Sequence, residues 1–295
     1  MRIFTPLLCS ALALIGLATS AAAAEQTVSF DVDGQTVVGT LNVPDGAEAP
    51  PVVLLLHGFT GSRDELEIPA VSEGIYQRAA RLWAEKGLAS LRIDFMGSGD
   101  SDGSYADTTM QVEIADALAA LDFLSDRTDI DPAKISVVGW SRGGAVAASI
   151  AGLSEVPLTS VSLWAPAVNM AATIYSLFGA EAVNKGLASG DEAIAYKLPW
   201  GAEVTLKGPF FRSLFEVDPL VDLTNYNGPL FVAVGTNDPI VFPQPETGEM
   251  ILDAHDGPEQ LWVQPMDHSF NSYEGVGMVD SLITTTGDFI AEASK

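Results

Sequence analysis

Gly139-Trp140-Ser141-Arg142-Gly143 decides the reading of this chain. It matches the G-x-S-x-G pattern, in which a serine sits on a sharp strand-to-helix turn. Ile135-Ser136-Val137-Val138 before it is short, apolar and β-branched, so it reads as a buried strand. Gly143 to Ala148 after it is small and apolar, and reads as a helix packed close to a sheet. The two flanking glycines leave room for a turn where a Cβ would clash.

Working outward, strand and helix signals alternate. Thr27 to Val32 and Gln35 to Val43 flank Asp33-Gly34 and read as a hairpin with a two-residue turn. Pro51 to Leu56, Leu88 to Ile93, Val161 to Trp164, Leu230 to Val234 and Leu261 to Val263 read as further strands. Helical stretches fall over Ile75 to Glu85, Val112 to Leu124, Ala145 to Leu153, Glu246 to Ala254 and Val279 to Ala293. The alternation predicts an α/β fold with a mostly parallel sheet and helices on both faces. From about Val168 to Asn227 the alternation breaks, and this connection is far longer than an ordinary loop. It holds Tyr175, Phe178, Tyr196, Trp200, Phe210, Phe211 and Phe215, and is expected to be a lid that also packs internally.

Residues 1–24 read as a secretory signal peptide. Arg2 supplies the positive start, Phe4 to Leu17 the apolar run, and Ala22-Ala23-Ala24 the cleavage signal. The run is short for a membrane span and no stop-transfer flank follows, so stable membrane insertion is not expected. A secreted or periplasmic location follows. Cys9 is the only cysteine and leaves with the leader, which excludes disulfides, cysteine-bound metal and a cysteine nucleophile. Residues 25–295 suit one α/β domain, and a hydrophobic fraction of 47% is enough for a sizeable core. A net charge of −25 argues against nucleic acid and anionic membranes as partners. The oligomeric state is left open.

A serine hydroxyl needs a base, and in this architecture the order is Ser, then Asp or Glu, then His. Only His255 and His268 follow the elbow. His255 ends a helix on the flank of the sheet, whereas His268 falls just beyond the last strand, so His268 is the expected base. Asp238, beyond the strand Leu230 to Val234, is the expected acid. Asp253 and Asp256 lie on or beside a helix, and Asp267 adjoins the histidine itself. The two oxyanion donors are expected to be the backbone N–H groups of Arg142 and Phe59. Phe59 belongs to His57-Gly58-Phe59-Thr60-Gly61, where His57 is read as orienting the loop. No metal and no cofactor is called for. His57 has no cluster of ligands around it, and the glycines of Asp94 to Gly103 fit neither a Walker A loop nor a dinucleotide fingerprint.

Together, His57 to Gly61, the loop Asp94-Phe95-Met96-Gly97-Ser98-Gly99-Asp100-Ser101-Asp102-Gly103, the elbow, Asp238 and His268 resemble the α/β-hydrolase superfamily. Within it they are most similar to feruloyl (cinnamoyl) esterases and related serine carboxylesterases. The resemblance spans about Val28 to Ile290. It implies an eight-stranded sheet, a lid inserted after the sixth strand, and ester hydrolysis through an acyl-enzyme. Those esterases more often carry His and Gln where this chain has Trp140 and Arg142.

The expected substrate is a small-molecule ester, with the acyl group open between hydroxycinnamoyl and short-to-medium chains. Trp200, Phe211, Tyr175 and Phe178 are expected to contact it. A serine peptidase of the same fold is the alternative, and a non-catalytic binding protein a third reading. Serine at position 141 speaks against relatives that use an aspartate nucleophile.

Overall fold

The computed structural model describes residues 24–295. The expected leader lies outside them, apart from Ala24 at the start of the first strand. Eight strands form one sheet: β1 (Ala24–Val32), β2 (Gln35–Val43), β3 (Val52–Leu56), β4 (Ala89–Asp94), β5 (Ile135–Trp140), β6 (Leu158–Trp164), β7 (Leu230–Gly235) and β8 (Glu259–Gln264). Their order is β1-β2-β4-β3-β5-β6-β7-β8. β2 runs antiparallel to both of its neighbours, and every other pairing is parallel. This is the α/β-hydrolase fold.

Local chemistry explains the hairpin. Val32 pairs with Gln35, and Asp33 and Gly34 both take positive φ, as a two-residue primed turn requires. The continuous apolar runs of β3, β5 and β7 are buried on both faces, as interior parallel strands must be. Side chains alternate between two cores. Leu54, Leu56 and Val137 face the helices Met110–Ser125 and Arg142–Leu153. Val53, Leu55 and Val138 face the helices Ile75–Ala84 and Gly277–Ala293. On that second face the Trp83 indole N–H donates to the Ile283 carbonyl, and Trp164 donates to Thr286 Oγ1.

From β3 the chain returns to β4 on one side, while from β5 it returns to β6 on the other. The loops leaving β3 and β5 therefore diverge and open a crevice at their carboxyl ends, the favoured ligand position in such sheets.

The segment between β6 and β7 is more regular than its sequence suggests. It holds a helix Met170–Ala188, a hairpin of Ile194–Lys197 with Glu203–Leu206, a helix Gly208–Glu216 and a short helix Pro219–Leu223. Gly179, at φ 79, breaks the first helix into two pieces. No single helical periodicity runs through it, which is why the alternation reads as lost.

Candidate active site

The elbow is made by close backbone approach. Ser141 sits between β5 and the following helix at φ 55, ψ −116, a strained conformation for a residue with a side chain. A Cβ on Gly139 would lie 2.1 Å from the Gly143 carbonyl oxygen, and one on Gly143 would lie 2.0 Å from the Leu56 carbonyl oxygen. Only glycine fits at either position. The Ser141 N–H donates to the Trp164 carbonyl at 2.9 Å, and the Ser141 carbonyl accepts from Ala145 and Ala167.

His268 stands beyond β8, in a loop that Asp267 and Asn271 fold. Asp267 Oδ1 accepts from the N–H groups of Ser269 and Asn271 at 2.9 and 2.8 Å, and Asn271 Oδ1 accepts from the Asp267 N–H. The Asp267 carboxylate is thus occupied by its own turn. Phe270 is fully buried against Trp140 and Trp164. The Trp140 indole N–H donates to the His268 carbonyl at 3.1 Å. Trp140, one of the two departures from the esterase pattern, therefore braces the histidine loop.

The structure brings Ser141, His268 and Asp238 together. His268 Nε2 is 3.0 Å from Ser141 Oγ, and Nδ1 is 2.8 Å from Asp238 Oδ2. Asp238 Oδ1 accepts from the N–H groups of Ile240 and Val241, which fixes the carboxylate plane and leaves Oδ2 for the ring. A carboxylate only accepts, so Nδ1 carries hydrogen and Nε2 faces the serine hydroxyl as an acceptor. His255 lies elsewhere. It is buried beside Tyr226, with Nε2 on the Gly228 carbonyl and Nδ1 accepting from Gly257.

The loop after β3 is held from several sides. His57 Nε2 accepts from the Phe95 N–H at 3.1 Å, so Nδ1 donates to the Gly58 carbonyl at 2.9 Å. Burial pushes its pKa down to about 3, so it stays a neutral linker across ordinary pH. Two further supports escape the sequence reading. Glu65 Oε1 accepts from the Gly58 N–H at 2.7 Å, and Tyr105 Oη accepts from the Thr60 N–H at 2.9 Å. Burial pushes the Glu65 carboxyl up to about 8, against the two backbone N–H groups that favour its charge. Its nearness in sequence to His57–Gly61 is the one signal that hinted at it. Tyr105 arrives from 45 residues away and left none.

A cavity of about 720 Å³ opens in front of Ser141. Phe59, Arg142, His268, Ile240 and Tyr273 line it. Met170, Thr173, Ile174 and Leu177 also line it, at the spacing of one helical face. Of the four aromatics expected to meet substrate, only Trp200 lines this space, with 54% of its surface exposed. Phe211, Phe178 and Tyr175 do not line it, which corrects the sequence expectation. Phe211 is fully buried, its ring 5.3 Å from Tyr196 and 5.2 Å from Phe210. Gly186 makes room for that ring, since a Cβ there would come within 2.3 Å of it. Phe178 packs on Tyr196, and Tyr175 edges onto Phe215. These rings pack the insertion together and join it to the core on that face of the sheet, with Phe178 and Phe210 meeting the Phe59 ring.

Among the described residues, no group of three or more His, Cys, Asp or Glu side chains is placed to hold a metal ion. No described helix is long and apolar enough to cross a membrane.

Comparison with known proteins gives a consistent result. A model of the alpha/beta hydrolase family matches residues 53–274. An uncharacterized 31.7 kDa protein of Escherichia coli is 30% identical over 105 residues, which is 36% of this chain and 34% of that protein. The match thus spans about a third of that relative's length. Among solved structures, Est1E from Butyrivibrio proteoclasticus with bound ferulic acid superposes with a TM-score of 0.74 at 21% identity. That alignment covers 90% of this chain and 98% of Est1E. The Pyrococcus furiosus esterase Pf2001 gives 0.64 at 20% identity, over 98% and 99% of the two chains. At these identities the structural likeness speaks to the fold.

Proposed function

The chain belongs to the alpha/beta hydrolase family, and from that premise we propose that it is a secreted serine hydrolase that cleaves carboxylic esters through an acyl-enzyme. One observation carries this reading: the hydrogen-bonded chain from Ser141 Oγ through His268 to Asp238, whose serine and histidine line a cavity. Ser141 Oγ attacks the ester carbonyl carbon while its proton passes to His268 Nε2. Asp238 holds the resulting imidazolium. The Phe59 and Arg142 N–H groups receive the oxyanion. His268 then protonates the leaving alkoxide and the alcohol departs, leaving an acyl-serine. Water attacks that ester by the same sequence, and the acid is released.

The likeness to the Pyrococcus furiosus esterase Pf2001 supports ester cleavage. The apolar wall of Met170, Ile174 and Leu177, and Trp200 at the cavity, support an apolar or aromatic acyl group. The ferulic acid in Est1E points the same way. The leader-like stretch over residues 1–24 supports export.

A fluorophosphonate probe should label the protein, with peptide mapping finding the adduct on Ser141. An unactivated serine reacts poorly with such a probe. Activity should then be compared across nitrophenyl acetate, a hydroxycinnamate ester and an aminoacyl amide. Labelling elsewhere, or none, would overturn the serine mechanism. Faster turnover of the amide would replace the esterase with a peptidase.

The cavity wall makes a second expectation. Trp200→Ala should lower kcat/KM for a bulky aromatic ester about tenfold relative to an acetyl ester, since only the larger group fills that contact. Phe211→Ala should leave this ratio alone and instead cost about 3–5 kcal/mol of stability, as a cavity in the insertion's core. Ester kinetics and urea unfolding on both variants separate the two. Equal ratios in wild type and Trp200→Ala would remove Trp200 from the substrate contact.

A further inference from the structure

The Arg142 side chain has no part in the mechanism above, which uses only its backbone N–H. Yet it is 1% exposed. Its guanidinium carbon lies 5.0 Å from the Phe59 ring centre and 5.6 Å from that of Tyr105. The two rings are themselves 6.0 Å apart. The guanidinium also meets the carboxylate of Glu113, equally buried. Glu113 in turn accepts from Thr108 Oγ1 at 3.1 Å. An ion pair this deep is costly to desolvate, and an apolar side chain could fill the same space at less cost. Stability alone is a weak reason for it.

What the contact joins is informative. Phe59 and Arg142 are the two residues whose N–H groups are proposed to hold the oxyanion. They come from different strands, β3 and β5, and no backbone bond between these two residues fixes their separation. We propose that the Arg142 guanidinium, gripped by Glu113, is a positioning device that sets the spacing of the two oxyanion donors through the Phe59 ring. This deepens the hydrolase reading and rests on it. Tyr105 extends the device, because it meets the guanidinium with its ring and the Thr60 N–H with its oxygen. One cation therefore touches both the residue that carries the second donor and the support of the residue after it. Donor placement matters because an oxyanion hole acts by being set before charge develops.

The test uses Phe59→Leu, Arg142→Gln and the double variant. Phe59→Leu keeps the N–H and leaves the Arg142–Glu113 ion pair in place, so it carries the test even if Arg142→Gln fails to fold. Substrate is nitrophenyl acetate, too small to need the Phe59 ring for binding. The second readout is the affinity of phenylboronic acid, whose serine adduct is tetrahedral. Each single variant should lower kcat about tenfold with KM within about twofold, and weaken the boronate by a similar factor. The double variant should be little worse than the poorer single, because the contact between guanidinium and ring is common to both. Arg142→Lys should recover part of the loss by restoring the charge without the planar fork.

Unchanged kcat in folded Phe59→Leu and Arg142→Gln would overturn the proposal. So would a fall in kcat without a matching loss of boronate affinity, which is what general loosening produces. Independent, multiplying losses would overturn it too. Failure of the serine reading is distinguishable, since it appears in the wild type as absent fluorophosphonate labelling of Ser141.

Discussion

Ser141→Ala is expected to lower kcat for nitrophenyl acetate by about 10⁵–10⁶-fold, leaving the residual rate that binding and oxyanion donors supply. The geometry makes a sharper claim than the size of that loss. Ser141 Oγ has a single base partner, His268 Nε2 at 3.0 Å, and His268 has a single carboxylate partner at 2.8 Å. The groups act in series, so removing either serine or histidine removes the same step. His268→Ala should cost nearly as much as Ser141→Ala, and the double variant should lose little more than either. Steady-state rates corrected for background hydrolysis decide this. Losses that multiply across the two sites, or more than about 1% of activity left in Ser141→Ala, would reject the assignment.

Gly143→Ala is expected to cost more than about 4 kcal/mol or to prevent folding, the range reserved for severe steric conflict. A Cβ there would stand 2.0 Å from the Leu56 carbonyl oxygen and 2.5 Å from that of His57. Both are backbone atoms at the end of β3, so neither can swing aside as a flexible side chain would. Relief would require moving the strand that carries Gly58 and Phe59. Gly34→Ala is the control. That glycine also has positive φ, at 81°, but a Cβ there meets nothing within 4 Å. It should cost only the strain of a left-handed residue, about 1–2 kcal/mol. Urea midpoints for the two variants measure the contrast, and equal midpoints would mean that strand and helix are less tightly apposed than described.

Much of this was legible in the sequence, and the reason is local. The elbow glycines, the Asp33-Gly34 turn and the apolar interior strands are each set by steric rules that act over a few residues. The order of Ser141, Asp238 and His268 follows from their places just beyond β5, β7 and β8. What stayed hidden depends on partners far apart in the chain. Arg142 could be read as a backbone donor, but not as a guanidinium between Phe59 and Tyr105 over Glu113. The substrate contacts expected of Phe211, Phe178 and Tyr175 fail for a different reason. Composition reports that a segment is aromatic, and it cannot report which rings the segment keeps for its own interior. Phe211 and Trp200 are both large aromatic residues of the same segment, yet one is buried and the other meets the cavity. The stripe Met170, Thr173, Ile174, Leu177 was visible in principle, but Gly179 ends the regular pattern soon after it.

The cavity is bounded by two kinds of chain. The residues proposed to react all stand on short connections leaving the central sheet, braced by Trp140, Asp267 and the elbow glycines. Another part of the wall is contributed by the long segment between β6 and β7, which packs together through Phe211, Tyr196 and Phe210 and meets the Phe59 ring through Phe178 and Phe210. That segment supplies none of the proposed reacting groups. A lineage can therefore rewrite the cavity-facing positions of that wall by substitution while inheriting the reacting groups intact, so long as Phe178 and Phe210 still pack on the Phe59 ring. Diversification in such a chain is cheap on one side of the cavity and nearly forbidden on the other.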